Sequence, residues 1–140
     1  MFVLDTNVVS ELMRRTPERA VVAWIEHHHG SSLFLTAVTE AELRVGAAIL
    51  PAGARRDALE ARIDEYVFTE FSGRVLPFDS AAASAYAGIV ARRRRIGRPA
   101  AHADTQIAAI SQVHGMSVVT RNVADFADAG IEVVNPWPQS

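Results

Sequence analysis

Short apolar segments alternate with longer amphipathic segments along the chain. The apolar segments predict strands at residues 2–4, 32–36, 74–77, 117–120 and 132–134. The amphipathic segments predict helices at residues 10–15, 17–30, 37–50, 55–69, 79–95 and 102–114. Short strands that alternate with helices are typical of a parallel sheet covered on both faces. We therefore expect an α/β fold: one three-layer α/β/α domain over residues 1–140, with a short parallel sheet of four to five strands flanked by helices.

Acidic side chains follow the predicted strands or begin the predicted helices. Asp5 follows the first strand, and Asn122 and Asp125 follow the strand that ends at residue 120. Asp104 lies in the first turn of its helix, and Glu42 lies near the start of its own. In open parallel sheets, ligands bind at the carboxyl ends of the strands. We therefore expect these side chains to gather at that edge.

Glu42 is the acid whose position is most informative. At about 100° per residue, it falls within the apolar stripe of its helix, whereas Glu40 lies on the opposite face. A carboxylate that faces a core is costly unless it is paired or holds a metal. We therefore interpret Glu42 as functional and Glu40 as part of a solvated surface. The stripe consists of Val38, Ala41, Val45 and Ile49.

Each of the other acids also has a structural interpretation. Asp104 is favoured by the dipole at the start of a helix, and Asp5 and Asp125 can each close a local turn. Their joint position is the stronger signal, because three or four neighbouring carboxylates repel one another unless a cation is present. Oxygen ligands without cysteine or well-spaced histidine favour Mg²⁺ or Mn²⁺, which activate water for attack on phosphorus.

The composition excludes several other kinds of chemistry. Arginine supplies all 14 basic residues, and lysine is absent. This excludes P-loop, Schiff-base and Ser–Lys enzymes, and it disfavours phospho-aspartyl enzymes, which usually carry a partner lysine. The absence of cysteine excludes disulfides, thiolate zinc sites and cysteine nucleophiles. The chain also lacks the glycine-rich dinucleotide motif and the serine hydrolase motif.

Neither the charge nor the hydropathy of the chain indicates a membrane protein. Hydrophobic residues make up 49% of the chain, and no apolar run approaches the ~20 residues that span a bilayer. An acid appears at Asp5, too early for a signal peptide, so we expect a cytoplasmic protein. The formal net charge of −2 does not by itself suggest a nucleic-acid binder.

Two clusters of basic side chains have open interpretations. The run Arg92, Arg93, Arg94 and Arg95, with Arg98 nearby, either contacts the phosphates of a nucleic acid or an acidic segment of a protein partner, or is a solvated helix end. The run at residues 27–29 contains three adjacent histidines, which diverge on a helix and are more typical of a structural helix end than of a metal site.

Five segments resemble those of PIN-domain ribonucleases, in particular the VapC-like toxins of toxin–antitoxin systems. Their order and separations are those usual in the family. The segments are FVLDTNVVSEL from Phe2, LTAVTEAELRVGA from Leu35, ADTQIAA from Ala103, VVTRNVADF from Val118 and VVNPW from Val133. The resemblance implies a PIN domain that cleaves RNA with one or two Mg²⁺ or Mn²⁺ ions.

The resemblance also implies roles for individual residues. Asp5, Glu42 and Asp104 correspond to the family's metal ligands and catalytic acids. Many members carry Asp where this chain has Asn122, so Asp125 is the candidate for the missing fourth carboxylate. The side chains expected to orient the acids through hydrogen bonds are Thr6, Asn7, Thr120 and Asn122.

The partners implied by the family are an RNA substrate, a cognate VapB-like antitoxin and a second copy of the chain. Promoter DNA is expected to be bound only through the antitoxin. Two alternatives stay open. Because Asn122 replaces an acid, the chain could be a catalytically weak PIN-like module that acts through partner and nucleic-acid contacts. A metal-dependent phosphatase shares the acids but usually has the lysine that is missing here.

Overall fold

The computed structural model describes residues 1–139, which form a parallel sheet of five strands in the order β3-β2-β1-β4-β5. The first strand along the chain is therefore the central one, with β2 and β4 beside it. The expected short parallel sheet is confirmed. The strands are β1 (Phe2–Leu4), β2 (Leu33–Thr36), β3 (Val75–Leu76), β4 (Ser117–Val119) and β5 (Val133–Val134).

Seven α-helices cover the sheet and complete the expected three-layer α/β/α fold. A 3₁₀ turn precedes β2, and a π-helical turn at Tyr66–Glu70 follows α4. The helices are α1 (Thr6–Leu12), α2 (Arg19–Glu26), α3 (Ala37–Ala48), α4 (Ala54–Glu65), α5 (Ser80–Arg95), α6 (His102–His114) and α7 (Val123–Phe126).

Two helices differ from the sequence prediction for local reasons. Helix α1 begins at Thr6 rather than at residue 10, because the Asp5 side chain accepts a hydrogen bond from the Thr6 N–H and caps the helix directly after β1. Helix α7 was not predicted, because four residues are too few to show a helical period. Both differences lie at the carboxyl edge of the sheet.

The strands are buried on both faces, as their continuous apolar sequences predict. Leu4 and Val119 contribute to the core on one side of the sheet, and Val3 and Val118 contribute to the core on the other side. Successive side chains of a strand point to opposite faces, so β1 anchors both layers. None of the helices within residues 1–139 has the length and apolar composition needed to cross a membrane.

Candidate active site

A polar pocket of about 480 Å³ opens at the carboxyl edge of the sheet, where β1 and β4 end. It brings together three of the predicted acids, Asp5, Glu42 and Asp104, from three separate parts of the chain. Asn122 and two further residues expected to orient the acids also lie here. The lining consists of Asp5, Thr6, Asn7, Ser10, Glu11, Arg14, Glu42, Asp104, Arg121, Asn122 and Trp137.

Asp5 is buried, and a hydrogen-bond network fixes its carboxylate. Its Oδ1 accepts from the Thr6 backbone N–H at 2.8 Å, and its Oδ2 accepts from the Thr120 hydroxyl at 2.8 Å. Asn7 donates to Thr120 Oγ1 at 3.2 Å, and the backbone N–H of Asn122 donates to the same oxygen at 3.0 Å. The orienting contacts predicted for Thr6, Asn7 and Thr120 are therefore present, whereas Asn122 acts here through its backbone.

The pKa of Asp5 is raised above its ordinary value. Burial is the main cause, and the negative charges of Glu42 and Asp125 add to it. The hydrogen bonds from Thr120 and Thr6 lower the pKa in the opposite direction but do not cancel the increase. The site therefore holds a carboxylate whose ionised form is stabilised by two donors yet destabilised by burial, and a cation would relieve this imbalance.

Glu42 reaches the pocket from α3 and is held by a threonine of α1. Thr6 Oγ1 donates to Glu42 Oε1 at 2.5 Å and lies 3.1 Å from Thr39 Oγ1. Thr6 thus contacts one acid through its backbone and a second acid through its side chain. This arrangement couples the position of Glu42 to that of Asp5.

The predicted orientation of α3 was wrong. Thr39, Leu43 and Ala47 form its buried face, whereas Val45 and Ile49 are 59% and 77% exposed. Glu42 is itself exposed and does not face a core. The projection correctly separated Glu42 from Glu40, which pairs with Arg44 at 2.7 Å. It assigned the wrong face to the core because the buried face contains only one large apolar side chain, Leu43, beside Thr39 and Ala47.

Asp104 lies in the first turn of α6, where a helix dipole would favour its charge. In this structure, however, the surroundings of Asp104 disfavour its charged form. Burial, together with the negative charges of Asp5, Asp125 and Glu42, raises the pKa of Asp104 to about 6, and Arg93 counteracts this only weakly. No hydrogen bond from a described residue stabilises its carboxylate. An acid that merely caps its helix would not show this combination.

The two candidates for the fourth position occupy different places. Asn122 lines the pocket. Asp125 is exposed in the first turn of α7 and does not line the pocket, but its charge raises the pKa of both Asp5 and Asp104. Asp125 therefore influences the acids of the pocket through its negative charge, whereas Asn122 borders the pocket directly.

The lining chemistry fits a hard divalent cation. The carboxylates of Asp5, Glu42 and Asp104 offer only oxygen atoms, and such ligand sets suit Mg²⁺ or Mn²⁺. Within residues 1–139, no three acidic or histidine side chains converge closely enough to form a complete metal site by themselves. The three carboxylates therefore line one pocket but stay apart from one another, an arrangement that reduces the repulsion between their charges.

Sequence reasoning missed one further acid of the pocket. Glu11 is 6% exposed, accepts from the Glu18 N–H at 2.9 Å and pairs with Arg14 at 3.1 Å. These contacts lower its pKa, with the Glu18 hydrogen bond as the largest cause. A helix that starts at Thr6 places Asn7, Ser10, Glu11 and Arg14 on one face. The cap at Asp5 was the signal that would have identified them.

The arginine run at the end of α5 is partly structural. Arg93 is buried, and its guanidinium donates to the carbonyls of Arg98 and Ala127, which removes it from the predicted contact surface. Arg98 pairs with Asp128 at 3.2 Å. Arg92, Arg94, Arg95 and Arg98 are exposed, so for these four the contact with RNA or an antitoxin stays a prediction.

The histidine run makes local contacts. The His27 and His28 rings each contact a backbone carbonyl one turn earlier, at 3.0 and 2.7 Å. His28 also stacks on Trp24 with ring centroids 3.9 Å apart. These contacts match the interpretation of a structural helix end.

Comparisons with known proteins agree with this fold. The PIN domain family model matches residues 2–132. The chain is 45% identical to VapC ribonuclease Y4jK of Sinorhizobium fredii, covering 98% of both chains. It is 40% identical to Toxin FitB of Neisseria gonorrhoeae, covering 98% of this chain and 99% of that protein.

A solved structure gives the same result in three dimensions. The structure of FitAB bound to an IR36 DNA fragment contains a chain that is 39% identical, with a TM-score of 0.92, over 100% of this chain and 98% of that one. Sequence, family model and three-dimensional similarity all cover almost the whole chain. This chain therefore belongs to the PIN-domain family, and within that family it groups with the VapC-like proteins.

Proposed function

We propose that this protein is a metal-dependent endoribonuclease that acts as the toxin of a toxin–antitoxin pair. The observation that carries the proposal is the pocket that Asp5, Glu42 and Asp104 share at the carboxyl edge of the sheet. The names of its relatives, VapC ribonuclease Y4jK and Toxin FitB, support the same activity and role.

The chain's own residues prepare the site for an ion and a phosphodiester. Asp5, Glu42 and Asp104 would hold Mg²⁺ or Mn²⁺, as one ion or two. When bound, the metal would polarise a phosphoryl oxygen and lower the pKa of water. Thr120 and Thr6 keep the Asp5 oxygens oriented, and Thr6 also fixes Glu42. Pre-oriented ligands of this kind lose little conformational freedom when an ion binds.

Cleavage of total cellular RNA by antitoxin-free protein tests the proposal directly. We expect cutting with Mg²⁺ or Mn²⁺, none with EDTA, and none by an Asp104→Asn variant under any of these conditions. Cutting that survives both EDTA and the substitution would come from a contaminating nuclease. A small phosphate ester assayed in parallel separates a nuclease from a phosphatase.

The toxin role implies a cognate VapB-like antitoxin, with promoter DNA bound through that antitoxin. The FitAB–DNA complex, which contains a chain 39% identical to this one, supports such an assembly. Co-purification of the chain with the product of an adjacent small gene, followed by a gel-shift assay on the promoter, tests both partners. The free chain should not shift the DNA, whereas the complex should.

We also propose that the protein is a homodimer and place the contact on the exposed apolar face of α3. Val45 and Ile49 are 59% and 77% exposed, and exposed apolar patches mark interaction surfaces. We expect light scattering to give twice the 15.2 kDa mass of one chain. Val45→Glu should give a monomer, while Ala58→Glu on the exposed surface of α4 should leave the dimer intact. Dimeric Val45→Glu protein would contradict this placement.

The fourth acidic position yields a separate prediction. Because Asp125 places its charge near Asp5 and Asp104, we expect Asp125→Asn to weaken Mn²⁺ binding more than Asn122→Ala does. Calorimetric titration of both variants measures the ranking. The reverse order would show that Asn122, from within the pocket, carries the fourth position.

A second function has one observation in its favour. Asn122 contributes no charge to the pocket, and Asp125 does not line it. Because Arg14 neutralises Glu11, only three carboxylates of the lining are available to a metal, and the chain could then be a catalytically weak binding module. Metal binding and RNA binding without any cleavage would favour this module over the nuclease.

We further propose that residues 1–140 form a single PIN domain. The family match ends at residue 132. Beyond it, β5 pairs with β4, and Trp137 joins the same core as Leu4 and Val119. If β4, β5 and the segment around Trp137 unfold together in one cooperative transition, that result would support this boundary.

A further inference from the structure

The acidic pocket contains two cations, Arg14 and Arg121, and the charges of both lower the pKa of Glu11, but only Arg14 forms an ion pair with it. Arg14 pairs with Glu11, and its Nη1 lies 3.2 and 3.1 Å from the two carboxylate oxygens. Arg121 forms no ion pair with any carboxylate of residues 1–139. The guanidinium of Arg121 is therefore the cation of this pocket that is available to an anionic ligand.

The backbone of Arg121 is fixed relative to the acids. Arg121 directly follows Thr120, whose hydroxyl holds the Asp5 carboxylate at 2.8 Å. Its own N–H donates to Asn7 Oδ1 at 3.3 Å. The same short segment thus orients one acid of the pocket and carries one of its cations.

The side chain of Arg121 is supported by an aromatic ring. Its guanidinium carbon lies 5.3 Å from the centroid of the Trp137 ring. Trp137 is 8% exposed and belongs to the core, so the ring is a rigid support. Stacking on a tryptophan restricts the rotamers of arginine and leaves the donors at its edge free, which lowers the entropy cost of binding an anion.

The charge of the pocket makes such a cation necessary for a nucleic-acid substrate. Asp5, Glu42 and Asp104 would repel an RNA phosphate, and the formal net charge of the chain is −2. A bound divalent ion offsets the repulsion only at the acids themselves. A guanidinium at the edge of the pocket can bind a neighbouring phosphate with two parallel hydrogen bonds.

On these grounds, and resting on the proposed nuclease function, we infer that Arg121, supported by Trp137, binds a backbone phosphate of the RNA and positions the strand across the acidic pocket. The contact is with phosphate, so it carries affinity and alignment rather than base specificity. Arg121 is thus a substrate-binding residue, and Trp137 is a positioning residue that acts through it.

Binding to a labelled single-stranded RNA oligonucleotide measures the contact without turnover, in an Asp104→Asn background with Mg²⁺. We expect Arg121→Ala to raise Kd about tenfold, as the loss of a charged hydrogen-bonded contact would. The slope of log Kd against log salt should decrease in magnitude by about 0.7, which corresponds to one phosphate. Arg55→Ala, which removes an exposed arginine outside the pocket, should change Kd less than about twofold.

Kinetics of the otherwise unmodified enzyme provide a second measurement. Arg121→Ala should raise KM about tenfold and change kcat less than about threefold, because the contact is made in both the ground and transition states. Arg121→Lys, which keeps the charge but loses the planar fork, should fall between the wild type and Arg121→Ala. In a Trp24→Phe background, RNA should change the emission of Trp137, and Arg121→Ala should remove that change.

The outcomes separate this inference from the proposed function. A wild-type chain that neither binds nor cuts RNA would overturn both. Wild-type cleavage with an Arg121→Ala variant that matches Arg55→Ala in Kd, KM and salt slope would overturn the inference alone. Unchanged RNA parameters with weakened antitoxin capture would assign Arg121 to the protein partner and would likewise overturn it. Melting curves of Arg121→Ala and Arg121→Lys show that each variant is folded.

Discussion

Replacing Asp104 with Asn is expected to stabilise the metal-free protein while it abolishes RNA cleavage. Burial and the neighbouring acids raise the pKa of Asp104 from 3.8 to about 6, and no hydrogen bond to its carboxylate would be lost. At about 1.36 kcal/mol per pKa unit, this rise corresponds to about 3 kcal/mol, and solvent screening of the half-buried side chain reduces the expected stabilisation at pH 8 to about 2 kcal/mol. Loss of a metal-holding carboxylate should reduce cleavage about 100-fold or more.

The pH dependence of this stabilisation identifies its cause. Because the folded-state pKa is raised, the ionised carboxylate destabilises the folded protein above pH 6, and this cost disappears as the pH falls toward 4. Urea unfolding at pH 8 and pH 4 should therefore show a difference between Asp104→Asn and wild type only at pH 8. Mg²⁺ should raise the midpoint of the wild type more than that of the variant. A variant that is less stable than wild type at pH 8 would contradict the proposed charge repulsion.

Glu42→Gln is expected to abolish cleavage, whereas Glu40→Gln leaves it within about twofold of wild type. The amide oxygen introduced by Glu42→Gln can still accept the Thr6 hydrogen bond, so the substitution removes charge from the pocket with little change in shape. Glu40 instead pairs with Arg44 on a different face of α3, and such exposed pairs contribute about 0–1 kcal/mol. Initial cleavage rates on one RNA at saturating Mg²⁺ compare the two variants.

This pair of substitutions is closely matched, since both change the same residue type on one helix, two positions apart. Melting temperatures within a few degrees of wild type would show that neither variant is unfolded. Equal losses of activity from both substitutions would contradict the assignment of Glu42 to the site. A Mn²⁺ titration should show weaker binding for Glu42→Gln only.

The pattern of apolar residues predicted the architecture, because strands of a covered parallel sheet appear in a sequence as short apolar runs. Each of the five apolar runs contains a strand in the structure. The pattern also predicted that Asp5, Glu42 and Asp104 lie at one edge of the sheet, because the carboxyl ends of such strands share that edge, and all three line the pocket there. The orientation of α3 was not predictable from hydrophobicity, since Leu43 of this helix is buried whereas Val45 and the adjacent Ile49 are exposed. That face would be buried only in an assembly.

The positions of two side chains, Trp137 in the pocket and Arg93 outside it, depend on tertiary structure that local patterns do not encode. Trp137 reaches the pocket from beyond the last strand and has no periodic neighbours to indicate its direction. Arg93 lies in the middle of a basic run but is buried, because the loop carbonyls of Arg98 and Ala127 supply its acceptors. Composition identifies a charge, whereas only the fold shows whether solvent reaches it.

The central position of β1 has a consequence for how the protein is made. Strand β1 is synthesised before both of its neighbours, β2 and β4, and Asp5 is oriented by Thr120, 115 residues later. Contacts between such distant positions form late and slow folding. A nascent or truncated chain that lacks the last strands therefore has Asp5, the proposed metal ligand, and Thr6, but it lacks Thr120, which completes the orientation of Asp5. We expect such a chain to be inert towards the RNA of the ribosome that is producing it.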